Sequence, residues 1–329
     1  MSILSPPYVI SNDNTKEGKA KISHFTPSAN DRSPIGTYPT KIKNAPERIY
    51  VSFGSRRERY RSSDLVINEN QAIKNSSNKY RMRSLIKSAC FKELCISSEI
   101  LSNFIYIDDT NVEQDYINIA KLYTDIGPPP YIIKPIQGSG GNEIKYIDSI
   151  NTFIDVALSL SPEADSYLVE EYIKNSDEYR FHIFPLLKNQ TIYLTYNVRD
   201  LQNPSKVYVK HKKVTNGIAD IRKRVLKSSN SNDKIITESN SVFKINHGLS
   251  KDMEEHMSEI AFTVISSIGL DFGCVDFLVN KDNNQIKILE TNSNPGIGDE
   301  PSLIEIYKTM LKHTILTKYK KKFPNFKFD

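Results

Sequence analysis

Between residues 272 and 296 the chain runs Phe272-Gly273-Cys274-Val275-Asp276-Phe277-Leu278-Val279, then a polar stretch from Asn280 to Asn284, then Gln285-Ile286-Lys287-Ile288-Leu289-Glu290-Thr291-Asn292-Ser293-Asn294-Pro295-Gly296. Two runs rich in β-branched and aromatic residues, separated by a short polar turn, make a hairpin. Centring the loop on Asn283 sets position 278 opposite 288 and Asp276 opposite Glu290, so two carboxylates share one face. Like charges opposed across a ladder repel, and acids in apolar strands are seldom left without partners, so something positive is expected between them. Separate Lys or Arg residues would satisfy the acids as ordinary ion pairs. A divalent cation is the other solution. Asn292, two residues beyond Glu290, emerges on the same side and adds a neutral carbonyl oxygen; together with the following Ser293-Asn294-Pro295-Gly296 loop it favours the metal. Oxygen-only donors with room for water and phosphate describe magnesium rather than zinc.

A cation-bearing strand lies upstream. Gly127-Pro128-Pro129-Pro130 excludes a helix and leads into Tyr131-Ile132-Ile133-Lys134-Pro135, followed by Gln137-Gly138-Ser139-Gly140-Gly141-Asn142. Glycines let backbone N–H groups wrap phosphate oxygens, and a lysine at the mouth supplies a point charge. The lysine precedes the glycines and a return strand (Ile144 to Ile147) follows them, so neither a Walker-type loop nor a dinucleotide fingerprint is present. Before it, Met82, Leu85, Ile86 and Ala89 mark one face of a helix that Ser76, Ser77 or Asn78 caps, while Lys79, Arg83 and Lys87 repeat on the neighbouring face; alone, that stripe reads as solvated. After it, Tyr167-Leu168-Val169 is a strand leading into Glu170-Glu171-Tyr172-Ile173, with Glu178 seven residues past Glu171. This spacing lets a crossing segment offer backbone groups to a flat base and an acid to ribose hydroxyls. A long helix from Lys251 to Ile268, with Ser250 as cap and Gly269 as stop, precedes the hairpin.

The 329 residues, 38% hydrophobic and 25% charged, suffice for one large or two small buried cores. No run of eighteen apolar residues occurs and the N-terminus lacks a signal pattern, so neither a membrane span nor export is expected. Cys90, Cys95 and Cys274 form no paired framework, which suits a reducing, cytoplasmic setting. A net charge of +5 suits phosphate-bearing ligands but falls short of a dedicated nucleic-acid binder. Residues 1–47, rich in Ser, Asn, Thr and Pro, read as a disordered or extended arm. A short subdomain over 48–125, a main domain over 126–315 hinged near 170–175, a mobile loop over 225–241 and a solvated basic tail over 316–329 complete the expected organisation.

Taken in order, Asn78-Lys79-Tyr80-Arg81, Ile133-Lys134-Pro135 with its glycine loop, Val169-Glu170-Glu171-Tyr172-Ile173 with Glu178, Val275-Asp276, and Leu289-Glu290-Thr291-Asn292-Ser293-Asn294-Pro295-Gly296 resemble the ATP-grasp superfamily over roughly residues 77–300. The opening, Phe53-Gly54-Ser55-Arg56 and Asp64 to Asn68, is similar to small phage-type ATP-grasp proteins. The resemblance implies an α+β fold in which two subdomains clamp ATP behind a short N-terminal segment. It implies that Lys79 and Lys134 contact ATP phosphates and that Gly138, Ser139, Gly140 and Gly141 close over them. Glu171 and the backbone of Tyr172 and Ile173 would face adenine, and Glu178 the ribose. Asp276, Glu290 and Asn292 would hold one or two Mg2+, with Mn2+ able to substitute, and Arg180 would steady the transferred phosphate.

The usual reaction of the family joins a carboxylate to an amine through an acyl phosphate, so small-molecule or peptide acids and amines are the implied substrates. Peptide-type members often carry arginine two residues before the metal aspartate; Cys274 stands there instead, which puts a D-alanine type of substrate in question. Substrate recognition is expected to draw on Lys210, Lys212 and Arg222, with Lys212 placed among the catalytic residues. A small-molecule kinase on the same fold, and a non-catalytic nucleotide or nucleic-acid binding module, remain open beside the ligase.

Overall fold

A computed structural model describes residues 9–11, 49–54, 62, 64–92, 101–107, 121–137, 143–158, 166–199, 205–227, 240–245, 247–297 and 301–322. The glycine loop at 138–141, the Arg56 to Arg61 cluster and most of the N-terminal arm lie outside them. Val9–Ser11 (β1), Ile49–Val51 (β2) and Leu65–Ile67 (β3) form a small parallel sheet in the order β1-β2-β3. Within the arm expected to be disordered or extended, residues 9–11 are strand; the β-branched pair Val9-Ile10 is hidden when composition is averaged over the whole arm.

Asn70–Ser77 (α1) and Lys79–Lys92 (α2) follow, joined at Asn78, whose side-chain oxygen accepts the Arg81 amide at 2.8 Å and caps α2. Phe104–Ile107 (β4), a π-helical turn at Leu122–Ile126, Tyr131–Pro135 (β5), Lys145–Ile147 (β6), Ile150–Leu158 (α3) and Tyr167–Glu171 (β7) come next. The four strands form an antiparallel sheet in the order β4-β7-β5-β6, whose core is built from Tyr131, Ile133, Ile147, Tyr167 and Val169 with Phe153 of α3.

Beyond β7 run Ser176–Ile183 (β8), a 3-10 turn, Thr191–Arg199 (β9), Val207–Thr215 (β10), Ile218–Leu226 (β11), Ser241–Lys244 (β12), Lys251–Ile268 (α4), Gly273–Asn280 (β13), Ile286–Asn292 (β14) and Pro301–Lys322 (α5). A five-stranded antiparallel sheet has the order β12-β11-β8-β13-β14, and β9 pairs with β10 as a separate two-stranded ribbon. Val225 and Leu226 end β11 and Ser241 opens β12, so the expected loop is narrower than 225–241. Helix α4 has the expected bounds: the Ser250 hydroxyl accepts the Met253 amide, and Gly269 ends the helix at φ +84°. Its apolar stripe, Met257, Ile260, Ala261, Val264 and Ile268, packs on Tyr179, Phe181, Val275 and Phe277 from one face of the five-stranded sheet. Helix α5 runs through the expected start of the tail. Tyr307, Met310, Leu311, Ile315 and Tyr319 keep one buried stripe going, and Lys318 donates to Asp271 at 2.7 Å, so the expected solvated tail begins as packed helix up to Tyr319, with the side chains of residues 320–322 exposed.

The hairpin register differs from the expected one by a single residue. Asp276 does face Glu290, but Leu278 meets Lys287 rather than Ile288, because the turn closes one position earlier and Leu289 is extruded as a bulge. The bulge restores the facing of the acids. Asn68 (φ +59°) pins the small parallel sheet to this hairpin. Its side-chain amide donates to the carbonyls of Ser52 and Phe272, and its oxygen accepts from the amides of Asp271 and Phe272. Gly54 (φ +69°) ends the same sheet against Asn294, so closely that a Cβ would sit 2.6 Å from that residue's Cβ.

Candidate functional site

With one face of the five-stranded sheet committed to α4, alternation sends the intervening residues to the other face, where cross-strand register arranges them in rows. Arg222, Arg180, Asp276 and Glu290 form one row; Asp220, His182, Cys274 and Asn292 form the next. Arg180 grips Asp276 bidentately, Nε to Oδ1 at 2.7 Å and a terminal nitrogen to Oδ2 at 2.6 Å. Burial would lower the Arg180 value, but Asp276, Cys274 and Glu290 together more than offset it and keep the guanidinium charged. Arg224 Nε donates to Glu178 at 2.8 Å, and both Arg180 and Arg224 lie 4.3 Å from the ring centre of Phe243. Burial pushes the Glu178 carboxyl up to about 7, against the pull of Arg224. His182, wholly buried, meets the Tyr307 hydroxyl at 2.7 Å through Nδ1, while its Nε2 has no hydrogen-bond partner among the described residues. Burial, then Arg180, Arg222 and Lys212, hold it well below the ordinary histidine range, so it is neutral.

The positive charge expected between the acids is thus supplied at Asp276 by Arg180, the ordinary ion-pair solution. The guanidinium reaches Asp276 from the adjacent strand, β8. Glu290, half-buried, makes no hydrogen bond or ion pair among the described residues. Asn292 Oδ1 accepts the Asn294 amide at 2.8 Å. No cluster of three His, Cys, Asp or Glu residues suited to a metal occurs among the described residues. The donor chemistry of Asp276, Glu290 and Asn292 nevertheless fits a hard cation. All three offer oxygen, two of the three are anionic, and each carboxylate oxygen held by Arg180 keeps a second lone pair.

A second charged group arrives from the four-stranded sheet and α2. Lys134 on β5 and Glu170 on β7 are diagonal neighbours, 2.5 Å apart as an ion pair, and Arg83 of α2 pairs with the same carboxylate. Arg83 is fully buried and donates at 2.9 Å to the carbonyl of Leu289, the bulge residue, which ties α2 and β7 to the carboxylate hairpin. The solvated-stripe reading of Lys79, Arg83 and Lys87 is therefore wrong for Arg83. It is also wrong for Lys79, whose value is lowered by burial and supported by the charge of Glu290. Burial lowers Lys134 to about 8. Burial alone would raise Glu170, yet Arg83 and Lys134 hold it below the usual carboxylate range. Three cations, Arg83, Lys134 and Lys79, act on one acid here, and Glu290 of the other sheet acts on Lys79.

The remaining expected residues are placed as follows. The Glu171 carboxylate accepts the Asn103 amide at 3.4 Å, Tyr172 donates its amide to Pro130, and Ile173 accepts from the Ser176 hydroxyl. Lys212, on the ribbon, donates to the Ala219 carbonyl at 3.1 Å and lies 3.6 Å from Asp220, which also holds Arg222. Glu170 and Arg83 were missed by reasoning from sequence. The available signal for Glu170 was its place inside an otherwise buried strand, where a charged residue needs partners.

No family model matches the chain, and no curated protein is significantly similar to it. Solved structures are. VanG D-Ala:D-Ser ligase from Enterococcus faecalis shares 15% identity at a TM-score of 0.53, over 78% of this chain and 66% of that one. The D-alanine-D-alanine ligase from Coxiella burnetii shares 12% at 0.50, over 78% and 61%. D-alanyl-alanine synthetase A from Vibrio cholerae O1 biovar eltor shares 12% at 0.59, over 96% and 99%. The chain thus spans about two thirds or less of the first two and nearly all of the third. At such identities the likeness carries the fold alone, and that fold is the α+β ATP-grasp fold.

Proposed function

We propose that the protein is an ATP- and magnesium-dependent carboxylate–amine ligase that works through an acyl phosphate and releases ADP and phosphate. One observation carries this reading: the cations Lys79, Arg83 and Lys134 gather around Glu170, and Lys79 lies close enough to Glu290 of the carboxylate hairpin for that acid to support its charge. Excess positive charge opposite hard-cation donors is what a metal triphosphate requires.

In this reading Lys79 and Lys134 hold phosphate oxygens, and Arg83 with Glu170 fixes Lys134 between the two sheets. Asp276, Glu290 and Asn292 would hold magnesium, which would supply charge neutralisation between the phosphates. Glu178, kept near Arg224, offers oxygens to ribose hydroxyls, and the segment Glu171 to Ile173 lies along the base. A substrate carboxylate oxygen attacks the γ-phosphorus as ADP leaves; an amine then attacks the acyl carbon, phosphate leaves, and the amine gives up its proton. Arg180 offsets the charge that builds on the transferred phosphate, and Lys212 steadies the acid. No protein nucleophile is needed. The test is phosphate release: the reading requires ATP turnover that needs an acid and an amine together. Phosphate retained on a single acceptor would make the protein a kinase, and no turnover with any acceptor would end the enzymatic reading.

A further inference from the structure

The β9–β10 ribbon is unlike the rest of the surface. Val207, Val209 and Tyr193 are 52%, 60% and 77% exposed, on strands that would bury such residues in a larger sheet. Register places them on one face: Arg199 opposite Val207, Asn197 opposite Val209, Thr195 opposite His211 and Tyr193 opposite Lys213. Strand β10 pairs with β9 on one side and with no strand on its other side among the described residues. Residues 191–215 carry five basic residues (Arg199, Lys206, Lys210, Lys212, Lys213) against one acid, Asp200, a local excess of four positive charges. At its base the ribbon joins the site, where Lys212 reaches Ala219 and Asp220, the first residue of the row that ends at Asn292.

We propose that β10 is a docking edge for an acidic polypeptide in extended conformation, which lies along the strand with its acids against the lysines and its apolar residues against Val207 and Val209. A sheet edge offers alternating N–H and C=O groups, and a peptide strand can complete that ladder where a nucleic acid cannot. Opposite charge then selects acidic partners and raises the on-rate. Where the peptide's carboxylate goes rests on the ligase reading, since the ribbon leads to Lys212; the docking itself does not.

The test is fluorescence anisotropy without nucleotide, using a nine-residue peptide of alternating Glu and Val, matched to the nine residues of β10. A Lys/Val peptide and a nine-nucleotide single-stranded DNA are the comparison probes. The acidic peptide binds, its affinity falls with ionic strength, and Lys206→Glu weakens it about threefold. The same variant keeps its ATP affinity, because Lys206 is exposed just before the start of β10. Binding of the DNA as tightly as the acidic peptide, no binding of the acidic peptide, or unchanged binding by the variant would each overturn the proposal. Peptide binding without ATP turnover would instead count against the ligase reading and leave the docking edge standing.

Discussion

Glu170→Gln preserves shape and removes the charge that Arg83 and Lys134 share. Glu170 is 4% exposed, and both partners are buried, so solvent cannot replace what is lost. Removing one member of a buried ion pair costs about 3–5 kcal/mol; the lower end applies because the Gln oxygen still accepts one hydrogen bond. A loss of about 3 kcal/mol lowers Tm by roughly 6–10 °C in a domain of this size. Lys134 adds a pH signature. Its folded value is about 8, below the 10.5 of the unfolded chain, so the unfolded state holds that proton more tightly. Stability from this group therefore rises as pH climbs from about 8 toward 10.5, by about 3 kcal/mol in all. Without Glu170 the folded ammonium is easier to deprotonate and the window opens at lower pH. The variant is expected to melt well below wild type at pH 7 and to recover part of the deficit by pH 9. A melting point within about 2 °C of wild type at pH 7, or a deficit that ignores pH, would refute the charge-compensation argument.

Two further predictions concern the frame that holds the hairpin. Asn68→Ala removes four side-chain hydrogen bonds between buried groups and should lower stability by about 2–4 kcal/mol in chemical denaturation; a loss under about 0.5 kcal/mol would show that the clamp is not needed. Gly54→Ala brings a Cβ to 2.6 Å from Asn294 at a positive φ and should cost about 1–3 kcal/mol while weakening magnesium-dependent turnover, because Asn294 holds Asn292. Unchanged stability and turnover would separate the small sheet from the site.

The hairpin, the α4 boundaries and the Asp276–Glu290 facing were legible because they rest on local period and turn chemistry. The bulge at Leu289 was not, since register depends on which turn geometry closes the loop. Arg83 and Glu170 were illegible for a different reason. A lysine–arginine stripe on a helix looks the same whether water or a carboxylate on a distant strand satisfies it, and only tertiary packing shows that the partner lies 87 residues away on β7. Arg180 was legible as a cation on an inward strand, whereas its grip on Asp276 follows from the β8–β13 register, which joins segments 96 residues apart. Two strands of the small parallel sheet, Ile49–Val51 and Leu65–Ile67, were legible as short apolar runs, but their parallel pairing and the third strand at Val9–Ser11 were not, because three residues are too few to carry a period or a partner.

The account stands on the proposal that a metal triphosphate binds between Lys79 and Lys134 on one side and Asp276 and Glu290 on the other. Titrating ATP into wild type and Glu290→Gln by calorimetry, with magnesium and with a chelator, tests it most directly. Micromolar ATP binding that needs magnesium and weakens at least about tenfold in the variant, with its melting point retained, is the predicted result. ATP affinity that is absent, or that is the same with and without magnesium and in both proteins, would contradict it.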